Sequence, residues 1–96
     1  MGRRRGHRGR VDANQRQIAD ALRAAGVSVC VLSSAGDGVP DLLVADHRRT
    51  WLIEVKTEDG KLTTEQSKFF ASWLGEIQLV RTIEDAIATI RRAGDR

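Results

Sequence analysis

Two short apolar runs, Asp41-Leu42-Leu43-Val44-Ala45 and Thr50-Trp51-Leu52-Ile53-Glu54-Val55-Lys56, flank the polar turn Asp46-His47-Arg48-Arg49 and constrain the fold more than any other feature. Enriched in β-branched and aromatic residues and bounded by turn formers, they read as paired strands. Side chains alternate across a strand, so Trp51, Ile53 and Val55 share one face while Leu52, Glu54 and Lys56 share the other. Pro40 stands at the start of the first run, a position that needs no backbone donor. Before it lies Ser33-Ser34-Ala35-Gly36-Asp37-Gly38, a loop of small residues, so the chain passes from glycine-rich backbone straight into the Asp41 carboxylate. Asp37 reads as a solvated turn residue.

The flanking segments supply the other elements. Asp12 with Gln15 three residues on predicts a helix start, Ile18, Ala21, Leu22 and Ala25 an apolar stripe, and Gly26 a stop. Val27 to Leu32 predicts the first strand. Thr63 and Gln66 form a capping box for a second helix whose side bearing Phe69, Phe70, Trp73 and Leu74 is expected to cover the sheet. Ile77 to Val80 predicts a fourth strand, and Thr82 caps a last helix with Ile83, Ala86, Ile87 and Ile90 inside. The order αβββαβα describes an α/β domain, a small mixed β-sheet flanked by helices. With 96 residues and 41% apolar content the chain suits one modest core, assigned to residues 12–96.

The net charge of +3 is unevenly spread. Residues 1–11 hold Arg3, Arg4, Arg5, Arg8 and Arg10 and no acid; with these five set aside, 11 of the 16 Lys and Arg face 13 Asp and Glu. Such a glycine-spaced basic arm is expected to be disordered when free and suits contacts to phosphate backbones. Cys30, the single cysteine, lies in an apolar run and reads as a buried, reduced thiol. No apolar stretch is long enough to span a bilayer, and no secretory pattern follows the basic start, so a cytoplasmic protein without a membrane partner is expected.

Pro40-Asp41, Glu54-Val55-Lys56 and the helix start Lys61-Leu62-Thr63 with Gln66, in this order and spacing, resemble the PD-(D/E)xK nuclease superfamily, and most closely its virus-type replication-repair nuclease (VRR-NUC) domains. The resemblance runs from about Asp12 to Ile90 and implies a restriction-endonuclease-like core. It also implies that Asp41, Glu54 and the carbonyl of Val55 hold Mg²⁺ or Mn²⁺, with Lys56 as electrostatic catalyst and no organic cofactor. A hard cation of this kind takes oxygen ligands and keeps several waters, which two carboxylates on neighbouring strands accommodate. Gln66 points towards the sheet, as a cap or as a group orienting a water or phosphate. Asn14 stands near where related resolvase-like nucleases place a metal-binding glutamate; its amide oxygen offers a ligand without charge, to the metal or to one of its waters, and simple capping or polar packing is the other reading. Gly36 and Gly38, with the arm's arginines, are the expected nucleic-acid contacts. A metal-dependent DNA endonuclease working as a homodimer, in a phage context, is the function implied. A structure-selective resolvase of four-way junctions and a non-catalytic nucleic-acid-binding module of the same fold are the alternatives.

Overall fold

A computed structural model describes residues 5–94, with side chains from Asp12 to Arg91. The elements follow the expected order: α1 (Arg5–Ala24), β1 (Ser28–Val31), β2 (Leu42–Ala45), β3 (Thr50–Val55), α2 (Thr64–Ser72), β4 (Ile77–Val80) and α3 (Ile83–Gly94). They form one four-stranded sheet in the order β1-β2-β3-β4, antiparallel except for the parallel pair β3–β4, which α2 connects.

The alternation in β3 sets the layers. Trp51, Ile53 and Val55 turn to one side with Leu42, Val44 and Val80, where Ile18, Ala19 and Leu22 of α1 and Ala86 of α3 complete the core. The indole N–H of Trp51 donates to Thr89 Oγ1 at 3.0 Å, so the largest core side chain keeps its one polar atom satisfied. Arg49 lies 3.7 Å over the Trp51 ring and forks onto both oxygens of Glu76 at 2.8 Å each, tying the β2–β3 turn to the start of β4.

Several expectations are corrected. Helix α1 begins at Arg5, seven residues before the expected cap at Asp12, which lies exposed within it. The backbone of residues 5–11 is thus helical where a disordered arm was expected: no proline bars the helix from propagating backwards once the packed turns at Ile18 and Leu22 have formed it. Residues 1–4, with Arg3 and Arg4, lie outside the described residues. Cys30 is exposed, because β1 is a sheet edge and the face bearing Cys30 carries neither α1 nor α3. Helix α2 buries none of its residues: Phe69 and Phe70 are half-buried, Trp73 is 45% exposed and Leu74 fully so. The helix has only nine residues and stops at Ser72, so Trp73 stacks on Phe69, with ring centroids 5.2 Å apart, instead of entering the core. Ala25 and Ile83, expected inside, are exposed as well. No helix among the described residues is long and apolar enough to cross a membrane.

Candidate active site

The register that pairs Leu42 with Ile53 brings Asp41, one residue earlier, across from Glu54 on the sheet face opposite the core. Backbone bonds hold Asp41 there: its carbonyl accepts from Leu32 N–H at 2.7 Å, and its Oδ2 accepts from Val55 N–H at 2.9 Å. Glu54 is 2% exposed, deeply buried for a carboxylate. Its Oε2 accepts from Gln66 Nε2 at 3.2 Å and lies 3.6 Å from Lys56 Nζ. Its Oε1 is buried and has no hydrogen-bond partner among the described residues. Burial, and then the Asp41 charge, push the Glu54 carboxyl up to about 7. Burial also raises Asp41, against the opposing pull of the Val55 N–H and the Lys56 charge.

One lysine beside two carboxylates leaves an excess of negative charge in a site from which water is largely removed, with one acceptor oxygen unmet. A proton or a cation relieves both conditions. Among the described residues no three His, Cys, Asp or Glu side chains converge as a metal cage. Two carboxylates suit a divalent cation that retains water, such as Mg²⁺, better than one that demands a full protein ligand set.

Gln66 forms the expected cap. Its Oε1 accepts from Thr63 N–H at 2.9 Å, and its own N–H donates to Thr63 Oγ1 at 3.1 Å, closing the capping box. The same side chain spends its Nε2 on Glu54, so the start of α2 is coupled to the carboxylate. Gly38 sets the position of that start. Its φ is +78°, and a Cβ placed there would lie 2.4 Å from the Glu65 carbonyl oxygen, so the loop and the first turn of α2 meet backbone to backbone. Gly38 is thereby occupied by a protein contact, whereas Gly36, also at φ +78°, has nothing within 4 Å of a would-be Cβ. Asp37 between them is exposed at φ +57°, the left-handed geometry that aspartate tolerates in turns. Asn14 uses its Nδ2 to donate to the Lys56 carbonyl oxygen at 3.3 Å, which places it behind the end of β3. Arg5, Arg8 and Arg10 lie in the first turns of α1, Arg10 one turn before Asn14. Arg81 was not expected here, and its guanidinium joins the carbonyls of the turn after Lys56. No local motif marks it, since its partners are backbone atoms more than twenty residues away.

No protein-family model and no curated protein matches the sequence. A solved structure of a VRR-NUC domain does match, with a TM-score of 0.70 and 25% sequence identity over 84% of this chain and 94% of that domain. The chain has the VRR-NUC fold. The fold agrees with the restriction-endonuclease-like core that the resemblance implied.

Two outcomes follow from this geometry. Gly38→Ala forces both a strained φ and a backbone clash, and is expected to cost about 1–3 kcal/mol in urea unfolding. Gly36→Ala, strained at φ +78° but uncrowded, should cost about 1–2 kcal/mol, from the backbone strain alone. In metal-free protein the folded Glu54 carboxyl keeps its proton to about pH 7, while the unfolded one loses it near its ordinary value of 4.5. Its contribution to stability is therefore complete below the unfolded value and is lost as pH rises through 7. Unfolding free energy should fall by on the order of 2–3 kcal/mol between pH 5 and 8, and Glu54→Gln should flatten that slope.

Proposed function

We propose that this protein is a divalent-cation-dependent DNA endonuclease that hydrolyses phosphodiester bonds as a homodimer. The observation that carries the reading is the buried Glu54 carboxylate across from the half-buried Asp41, with Glu54 Oε1 unpartnered among the described residues and Lys56 Nζ 3.6 Å from Oε2, on a VRR-NUC fold. Asp41, Glu54 and the Val55 carbonyl would hold Mg²⁺ or Mn²⁺. When bound, such an ion polarises a phosphoryl oxygen and lowers the pKa of a coordinated water.

The remaining work belongs to the chain's own residues. Lys56, 16% exposed, places its charge where negative charge develops on the phosphate, in surroundings that screen it weakly. Gln66 holds the Glu54 carboxylate in orientation through Oε2 and leaves Oε1 for the reacting centre. The arginines at 3, 4, 5, 8 and 10 supply salt-sensitive, sequence-independent affinity for the DNA backbone, and the open backbone at Gly36 admits a phosphate. Pairing of two chains suits both the small size, which offers little surface to grip a duplex, and the apolar surface that α2 leaves at Trp73 and Leu74.

The test is cleavage of linear duplex, flapped and four-way-junction DNA with Mg²⁺, Mn²⁺ or EDTA. Wild-type protein should cut only with the metal, and Asp41→Ala and Lys56→Ala should each lose about 10²–10³-fold in rate. A strong preference for junctions would assign a resolvase; binding without cutting in any metal would make the protein a non-catalytic module. Sedimentation should find a dimer at micromolar concentration, and a monomer that still cuts both strands in concert would refute the pairing.

A further inference from the structure

The site reading gives Lys56 the task of meeting phosphate charge, yet a lysine has a flexible four-carbon stem that has to be aimed. Lys56 lies one residue past the end of β3, where the regular strand stops. Its N–H donates to the Val80 carbonyl at 3.0 Å, and its carbonyl accepts from Asn14 Nδ2 at 3.3 Å. The chain then turns back on itself, with Gly60 N–H donating to the Thr57 carbonyl at 3.0 Å. Arg81 closes this turn from outside. Its Nη1 donates to the carbonyls of Thr57 and Gly60 at 2.7 Å each and lies 3.2 Å from that of Glu58. Arg81 is itself anchored, because its backbone N–H and that of Thr82 both donate to Asp85 Oδ2 in the first turn of α3, at 2.9 and 3.2 Å.

The closed turn brings Gly60 against the lysine. A Cβ at Gly60 would stand 3.4 Å from both Cβ and Cδ of Lys56, so the backbone there forms one wall for the aliphatic stem. The free end of that stem reaches to 3.6 Å from Glu54 Oε2.

We propose that Arg81 is a positioning residue for Lys56: by holding the Thr57–Gly60 turn shut, it presses Gly60 along the lysine stem and fixes the ammonium beside Glu54. The proposal rests on the role assigned to Lys56 above. It concerns a residue whose guanidinium bonds backbone carbonyls, so its effect on the rate is expected to pass through the lysine.

The experiment is single-turnover cleavage by wild type, Arg81→Met, Lys56→Ala and the double variant, together with amide hydrogen exchange of metal-free protein. Arg81→Met should lower the maximal rate roughly 10- to 100-fold, the scale of a misplaced catalytic group, with an unchanged half-saturating DNA concentration. In the Lys56→Ala background the same change should cost nothing further, and exchange at the Gly60 amide should be faster in Arg81→Met than in wild type. If Arg81→Met does not fold, Arg81→Lys, which keeps a single charged donor, should show the same pattern with a smaller loss. An unchanged rate, an equal loss with or without Lys56, or a change only in half-saturating DNA would overturn the proposal. Lys56→Ala cutting at the wild-type rate would instead refute the role given to the lysine, while the exchange measurement would still report whether Arg81 holds the turn.

Discussion

Glu54 carries a carboxylate at 2% exposure, directly across the strand pair from a second carboxylate. Removing an ion from water costs several kcal/mol even after relaxation, and a like charge beside it adds to that cost. A fold that retains such a pair needs something that stabilises charge at this point, and the surrounding structure is arranged around it. Burial, and then the Asp41 charge, raise the Glu54 carboxyl to about 7, so near neutral pH it can keep a proton.

Each neighbouring element has a part in holding that arrangement. The Val55 N–H fixes Asp41, Gln66 at the start of α2 fixes Glu54, and the contact of Gly38 with Glu65 fixes where α2 starts. On the other side of β3, Trp51, Ile53 and Val55 lock the strand into the core with α1 and α3, so the acidic face projects from a rigid sheet. Precision is thus drawn from regular elements, to which the 36–38 and 57–60 loops add backbone of unusual geometry or bonding near the site.

The sheet, and the shared face of Glu54 and Lys56, were legible in the sequence for a physical reason. Period-two alternation in residues 50–56 fixes which side chains face the core, and it therefore puts Glu54 and Lys56 on one face. The capping box at Thr63 and Gln66 was legible because its partners are three residues apart. What the sequence hid depends on long-range packing. Cys30 and Trp73 look like core residues by type, but Cys30 lies on an edge strand, on the face without α1 and α3, and Trp73 falls beyond the end of a short helix. The start of α1 was misplaced because Asp12 is a good cap in isolation, and nothing local announces that the helix continues back to Arg5. Arg81 was invisible because its acceptors are backbone carbonyls, which leave no mark on residue type.

Whether the Asp41–Glu54 pair holds a divalent cation can be read from the amount of Mn²⁺ bound per chain, by the loss of free-ion signal in electron paramagnetic resonance. Wild-type protein at pH 8 should bind Mn²⁺ in competition with Mg²⁺, and Glu54→Gln, which keeps the shape and removes the charge, should lose that binding. Equal binding by both proteins, or none by the wild type, would contradict the account.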